Sequence, residues 1–261
     1  MSIFGLFSKK GPTEERASRH IDTPRDFQDT TEIALYFQKK TGISFKKQTS
    51  ILKSKLISFC TLRDIYSFDA CLKEIRVNLH LEQELINYLT TNETYFYREF
   101  SQIEQLVKDL SKKKSFANIL CAPCSTGEES YSIVIALLEA GVSPTNFSIV
   151  GIDINSDTLV SAKKGIYSER NVSQMPKRLR SKYFDCRDNL YYLKENIKTS
   201  VIYKKINIFD TQINSIGKFD YVLSRNMLIY FDPETKIKAA KILENLLKDT
   251  TQNVFYGHAD L

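Results

Sequence analysis

The chain has 261 residues, of which 42% are hydrophobic and 26% are charged, and this is enough apolar material for two ordinary domains. No apolar run approaches the roughly 20 residues that cross a bilayer, so the composition excludes a membrane-spanning protein. Near the start, Lys9 and Lys10 follow an apolar patch, which reverses the charge order of a secretory signal. We therefore expect a cytoplasmic protein.

Five cysteines leave one unpaired in any complete set of disulfides, and the chain is not cysteine-rich, so we expect reduced thiols. Cys121 and Cys124 form a CxxC pair, a spacing that also occurs in zinc and redox sites. There is no second pair and the three histidines are scattered, so the sequence predicts no metal site. We place the CxxC pair in a turn.

The net charge of +6 is modest, but the basic residues are unevenly distributed. A stretch without any acidic residue contains Lys39, Lys40, Lys46, Lys47, Lys53, Lys55 and Arg63. Such a stretch predicts a surface that attracts an anionic partner. Lysines solvated on an ordinary helix are the alternative, and the sequence leaves both interpretations open.

Residues 1–25 are polar, aperiodic and interrupted by proline, which predicts a flexible tail. Residues 26–90 carry apolar side chains at helical spacing, and Gly42 separates the first helix from the second. This range predicts an all-α N-terminal domain of about four helices. Residues 91–114 then form a connecting segment with a lysine-rich end, and its first part is predicted to contribute to the active site.

From residue 115 to residue 261, short β-type runs alternate with helical patterns. This alternation is typical of a parallel sheet with crossover helices, so we predict an α/β domain. Residues 165–205 depart from the pattern, because apolar runs at 190–193 and 201–203 are bounded by polar turns. We interpret this range as a small antiparallel β-subdomain inserted between two βα units.

The turn after the first β-type run contains one glycine, Gly127, followed by Glu128 and Glu129. In open α/β sheets, ligands bind at the carboxyl ends of the strands. Two consecutive carboxylates would repel a pyrophosphate, but they suit a cationic cofactor such as S-adenosylmethionine, which carries a sulfonium and an ammonium group. Glutamates that merely begin a helix are the alternative.

Polar groups also follow other strands. Asp153 ends the second β-type run, where a carboxylate can accept hydrogen bonds from both ribose hydroxyls of an adenosine, although it could also cap the next helix. The run ending at residues 206–208 could flank an adenine, and residues 224–232 place polar groups at the same edge. Outside the sheet, residues 91–99 mix polar and aromatic side chains, which suggests either a segment folded over a ligand or a helix cap with packing aromatics.

Four of these stretches occur in the order and spacing of one family. They are Thr-Asn-Glu-Thr-Tyr-Phe-Tyr-Arg-Glu (91–99), Cys-Ser-Thr-Gly-Glu-Glu-x-Tyr-Ser (124–132), Gly-Ile-Asp-Ile (151–154) with Gly-Ile-Tyr-Ser-Glu-Arg (165–170), and Ser-Arg-Asn-x-x-Ile-Tyr-Phe-Asp (224–232). Together they resemble the CheR chemotaxis receptor methyltransferases. The resemblance implies a Rossmann-like S-adenosylmethionine-dependent methyltransferase domain with an inserted antiparallel β-subdomain, preceded by a helical domain.

The same resemblance implies transfer of the methyl group of S-adenosylmethionine to glutamate side chains in the cytoplasmic domain of chemotaxis receptors, with S-adenosylhomocysteine as product. It also implies a monomer that neither inserts into the membrane nor binds nucleic acid. By likeness to the family's cofactor site, the cofactor is expected to contact Asn92, Thr94, Arg98, Glu129, Asp153, Asn207, Ile208, Ser224, Arg225 and Asn226. Arg98 and Tyr230 are expected to face the methyl group and the incoming glutamate as catalytic residues.

Two other functions stay open from the residues alone. A nucleic-acid methyltransferase of the same fold would suit the positive charge, but residues 225–228 read Arg-Asn-Met-Leu rather than the Asn/Asp-Pro-Pro-aromatic motif of many such enzymes. A non-catalytic S-adenosylmethionine-binding sensor or scaffold would have no need of Arg98 and Tyr230. Methyl transfer to a receptor or to nucleic acid would separate these functions.

Overall fold

The computed structural model describes residues 26–113, 115–249, 251 and 254–260. The predicted flexible tail, residues 1–25, lies outside the described residues. The described chain consists of a helical domain followed by an α/β domain with a small second sheet, which confirms the predicted fold class. Every helix in this part of the chain is too short or too polar to span a bilayer.

The N-terminal domain is built from four helices in the described residues. They are α1 (Thr31–Thr41), α2 (Thr49–Thr61), α3 (Phe68–Val77) and α4 (Leu79–Leu89). Their apolar faces meet in one core, with Leu56, Phe59 and Ile75 completely buried. Helix α1 ends because Gly42 adopts a left-handed φ of 79° and donates its N–H to the carbonyl of Gln38.

The next helix, α5 (Phe100–Lys113), packs in the second domain. Its buried face carries Ile103, Leu106 and Leu110, which belong to the same apolar core as the first strand of the large sheet. Lys112 and Lys113 of the lysine-rich stretch lie in the last turn of this helix. Within the described part of the predicted connecting segment, residues 91–113, the part before Phe100 is therefore non-helical and the rest is α5.

Eight strands are present in the described residues. They are β1 (Ala117–Cys121), β2 (Phe147–Asp153), β3 (Ile166–Ser168), β4 (Phe184–Arg187), β5 (Leu190–Leu193), β6 (Val201–Lys205), β7 (Tyr221–Ser224) and β8 (Phe255–Tyr256). The large sheet has the order β6-β2-β1-β7-β8, and each neighbouring pair is parallel. The chain builds outward from β1 to β6 and then returns to the other side of β1, so a crevice forms at the carboxyl ends of β1 and β7.

The α/β domain contains six further α-helices in the described residues. They are α6 (Glu128–Glu139), α7 (Ser156–Lys164), α8 (Glu169–Val172), α9 (Lys177–Tyr183), α10 (Glu195–Lys198) and α11 (Pro233–Glu244). Of these, α8 and α9 pack against the small sheet. One core lies between the sheet and helices α5 and α6, and it extends into the small sheet. The other core includes Ala239 and Leu243 of α11.

Strands β3, β5 and β4 form an antiparallel sheet of their own, as predicted for the insert. The assignment of residues 201–205 to this insert is wrong, because β6 pairs in parallel with β2 and belongs to the large sheet. Val201 and Tyr203 are buried whereas Ile202 is exposed, since β6 lies at the edge of the sheet. This alternation is the pattern of a half-buried antiparallel strand, which explains the error.

Candidate cofactor and active site

A cavity opens at the carboxyl edge of the large sheet, between the two domains. The ends of β1, β2 and β7 form its floor, and residues 89–94 with Arg98 form one wall. Residues 226–231 contribute a second wall. The loop between α1 and α2, residues 42–48, closes a third side with Ile43 and Phe45. The cavity therefore lies where the strand order predicts a ligand.

The turn between β1 and α6 requires a glycine at residue 127. Gly127 has a φ of 92°, and a Cβ atom placed on it would lie 2.5 Å from the hydroxyl of Tyr203. The two acids that follow point in different directions. Glu128 is buried away from the cavity and accepts hydrogen bonds from the hydroxyl of Thr126 at 2.6 Å and the amide of Asn171 at 2.9 Å. Only Glu129 lines the cavity.

Glu129 forms an ion pair with Arg225, whose Nη1 lies 3.0 Å from Glu129 Oε2. The other oxygen, Oε1, is buried and has no hydrogen-bond partner in the described residues. Burial raises the pKa of Glu129, while the neighbouring Arg225 acts to lower it. Because Glu129 lines the cavity, its unpartnered oxygen is a candidate acceptor for a ligand donor.

Asp153 lies at the end of β2, with a residue exposure of 5%. Its Oδ2 accepts the N–H of Ser125 at 2.9 Å, and its Oδ1 accepts the N–H of Asn155 at 2.8 Å. Burial raises the pKa of Asp153 to about 6, although these backbone hydrogen bonds act to lower it. Asp153 does not cap α7, because the side chain of Asn155 accepts the N–H groups of Asp157 and Thr158 at that position.

Residues 91–99 are folded over the cavity and held by the α/β domain. Phe96 is completely buried, and its N–H donates to the carbonyl of Asn171 at 2.8 Å. Arg225 donates from Nη2 to the carbonyl of Arg98. The side chain of Arg98 uses Nη1 to donate to the carbonyl of Glu93 at 2.8 Å. The segment is therefore non-helical and lies along the cavity, as expected for a segment folded over a ligand.

The second wall carries Tyr230. Its carbonyl accepts the N–H of Ser44 at 2.9 Å, which joins this wall to the α1–α2 loop. Burial raises the pKa of the Tyr230 hydroxyl, and the positive charge of Arg98 acts in the opposite direction. The phenol therefore stays protonated at neutral pH, and Tyr230 and Arg98 both line the cavity.

The sequence comparisons identify the family to which this site belongs. The family described as "CheR methyltransferase, SAM binding domain" matches residues 92–261. A "Chemotaxis protein methyltransferase" of Campylobacter jejuni is 33% identical over 240 residues, covering 92% of this chain and 90% of that protein. The chain belongs to the CheR methyltransferase family. A "Chemotaxis protein methyltransferase 2" of Vibrio cholerae is 34% identical over 238 residues, covering 86% of this chain and 82% of that protein.

Membership of the CheR family confirms an S-adenosylmethionine-dependent methyltransferase. The cavity fits this cofactor chemically. The unpartnered Oε1 of Glu129 can accept a hydrogen bond from the ammonium group of the cofactor. The buried carboxylate of Asp153 retains lone pairs for ribose hydroxyls. The hydroxyl of Ser125, which is also buried without a partner beside the cavity, is a further polar group for the ligand.

The structure brings most of the predicted site residues of this CheR-family chain to the cavity. Its lining includes Asn92, Thr94, Arg98, Glu129, Asp153, Asn207, Ile208, Arg225, Asn226 and Tyr230. Ser224 is completely buried in β7 and is not part of the lining, because side chains alternate between faces along a strand. Asn207 also joins the domains, since its Nδ2 donates to the carbonyl of Lys40 at 2.7 Å.

The third side of the cavity was not predicted from the sequence. Ile43, Ser44, Phe45 and Gln48 come from the helical domain, and the sequence showed there only a helix break followed by lysines. Ser125 was also not predicted as a site residue, although it lies within the motif at residues 124–132. Prediction of such contacts requires the relative placement of the two domains, which local patterns do not contain.

Proposed function

We propose that this CheR-family enzyme transfers the methyl group of S-adenosylmethionine to glutamate side-chain carboxylates in the cytoplasmic domain of chemotaxis receptors, forming glutamate methyl esters. It acts as a monomer in the cytoplasm, without membrane insertion or nucleic-acid binding. The two relatives described above carry the name chemotaxis protein methyltransferase. The observation that carries the proposal is the convergence of Arg98 and Tyr230 at a cavity whose other polar groups, Glu129 and Asp153, suit the cofactor.

These residues match the needs of a carboxylate substrate. When bound, the cofactor supplies a methyl group on a positively charged sulfur. A glutamate that is already ionised needs orientation and exclusion of water rather than a general base. Apart from the Nη1 bond to Glu93, the guanidinium of Arg98 has no side-chain hydrogen bond among the described residues, so it can hold a carboxylate. The protonated phenol of Tyr230 can donate a second hydrogen bond.

The basic residues between Lys39 and Arg63 include some that contact other groups of the protein and some that are exposed. Several members are engaged within the protein: Lys40 with Glu82 at 3.1 Å, Arg63 with Glu84 at 2.8 Å, Lys53 with the carbonyl of Gln28 at 3.2 Å, and Lys55 with the carbonyl of Leu89 at 3.2 Å. Lys46 and Lys47 are exposed, and they lie between Phe45 and Gln48 of the cavity wall. We propose these two lysines as the part that guides an acidic receptor surface towards the cavity.

The proposal is tested by offering the enzyme labelled S-adenosylmethionine together with a receptor cytoplasmic fragment, or with RNA or DNA. We expect label in the receptor and a strong reduction in the Tyr230→Phe variant. Label in nucleic acid instead would overturn the proposal in favour of the nucleic-acid enzyme. If calorimetry shows that the cofactor binds but no label is transferred to the receptor, RNA or DNA, the result would support a non-catalytic S-adenosylmethionine-binding sensor or scaffold.

A further inference from the structure

The segment that follows β8, residues 257–260, contacts both walls of the cavity. Towards the first wall, Nδ1 of His258 lies 2.9 Å from Oε2 of Glu99, the residue after Arg98. Towards the second wall, Asp260 reaches the turn that leads to Tyr230. The segment is itself anchored to α11, since Nζ of Lys236 donates to the carbonyl of Asp260 at 3.1 Å.

Asp260 is buried, with an exposure of 2%, and its carboxylate is used as a backbone acceptor. Oδ2 accepts the N–H of Asn226 at 2.5 Å and that of Gly257 at 3.0 Å. Oδ1 accepts the N–H of Ile229 at 3.2 Å. The carboxylate therefore ties the beginning and the end of the turn 226–229 to one point, and Tyr230 is the next residue along the chain.

This turn needs an external support. Asn226 has a left-handed φ of 60°, so the chain changes direction at the end of β7, and few residues other than glycine and asparagine adopt this conformation readily. The N–H of Asn226 lies beyond the last residue of β7, and Asp260 provides its acceptor. An asparagine at position 260 would keep one oxygen but would present an amide N–H₂ to a backbone N–H, so at least one of the three hydrogen bonds would be lost.

We propose that Asp260 is a positioning residue for methyl transfer: its carboxylate fixes the turn 226–229 and thereby the place of the Tyr230 hydroxyl at the cavity. Asp260 itself is not part of the cavity lining. The proposal rests on the proposed function of Tyr230, because a fixed phenol matters only if that phenol orients the substrate.

The first test does not depend on activity. In Asp260→Asn, hydrogen exchange should become at least about tenfold faster at the amide of Asn226, of Ile229 or of both, because one asparagine oxygen cannot replace both carboxylate oxygens. Asp249→Asn is the matched control, since its carboxylate accepts the N–H of Thr251 at 2.9 Å in an exposed turn away from the cavity. Unchanged exchange at Asn226 and Ile229 in folded Asp260→Asn would overturn the proposal.

The second test is a double-mutant cycle on the single-turnover rate of receptor methylation. Asp260→Asn should slow methyl transfer on the order of tenfold in the wild-type background, because small displacements of positioning groups are costly. In the Tyr230→Phe background it should slow transfer by less than about threefold, since the hydroxyl to be positioned is absent. An equal loss in both backgrounds would overturn the positioning role and indicate a general effect on the fold.

Gly257→Ala provides an independent perturbation if Asp260→Asn does not fold. A Cβ atom at residue 257 would lie 2.8 Å from the backbone nitrogen of Asn226 and 3.0 Å from Oδ2 of Asp260. It would therefore disturb the hydrogen bond between Asn226 and Asp260. The same faster exchange and the same non-additive loss of rate are expected. If Tyr230→Phe alone keeps the wild-type rate, the proposed function of Tyr230 fails, whereas the exchange experiment still decides whether Asp260 holds the turn.

Discussion

The buried carboxylate of Asp153 makes cofactor affinity depend on pH in a defined direction. Its pKa is raised to about 6 by burial in the free protein. We propose that the ribose hydroxyls donate hydrogen bonds to the ionised form; cofactor binding then favours ionisation and lowers the pKa of Asp153 in the complex. The affinity for the cofactor then has its full value well above the pKa of Asp153 in the free protein, and it decreases as the pH falls through that pKa.

The magnitude follows from that pKa. One unit below it, at about pH 5, roughly one carboxylate in ten is ionised, so affinity should fall about tenfold relative to neutral pH, or about 1.4 kcal/mol. The Asp153→Asn variant has no carboxylate to titrate. It should bind S-adenosylmethionine more weakly by about 1.5–3 kcal/mol at neutral pH, the range for hydrogen bonds to charged groups.

Isothermal titration calorimetry of wild type and Asp153→Asn across this pH range measures the effect. Glu129 and the amino group of the cofactor also titrate, so the difference between the two profiles, rather than the wild-type profile alone, reports Asp153. Near-UV circular dichroism at each pH establishes that both proteins stay folded. Parallel profiles in the two proteins, or equal affinities at neutral pH, would refute the assignment of Asp153 to the ribose.

The remaining predictions concern the substrate side of the site. Tyr230→Phe should slow single-turnover methyl transfer on the order of tenfold or more with nearly unchanged cofactor affinity by calorimetry. Arg98→Ala should lose more activity and also weaken ligand binding, and Arg98→Lys should restore only part of it, because a point charge does not reproduce the planar guanidinium. Wild-type rates in Arg98→Ala would contradict this role. Replacing both Lys46 and Lys47 by glutamate should slow receptor association in stopped-flow experiments and reduce its dependence on salt, with cofactor affinity intact. An unaltered salt dependence would mean that the two lysines are solvated surface residues without a role in receptor binding.

Much of the fold follows from local patterns. The change from helical spacing to alternating β-type runs and helices separates the two domains, because burial against one face imposes these periods. The polar residues at the ends of β1, β2 and β7 could be placed together because the carboxyl ends of parallel strands share one edge. It was therefore predictable that Asp153 and Glu129, although separated in the sequence, line the same cavity.

The features of the site that could not be predicted from the sequence depend on contacts between distant segments of the chain. Arg225 was expected to contact the cofactor, and the structure adds that it pairs with Glu129 and anchors the carbonyl of Arg98. Ser224 was included because it lies next to Arg225 in the motif, whereas the strand turns its side chain into the core. Asp260 had no local signal, since its three N–H partners come from two separate turns.

The central claim is the formation of a glutamate methyl ester, and its chemical stability provides the most direct measurement. A receptor cytoplasmic fragment methylated by this enzyme should be digested and analysed by mass spectrometry before and after mild alkali. We predict a single added methyl group on glutamate residues that alkali removes as methanol. An added methyl group that survives alkali, or one located on lysine, arginine or the peptide backbone, would contradict the account.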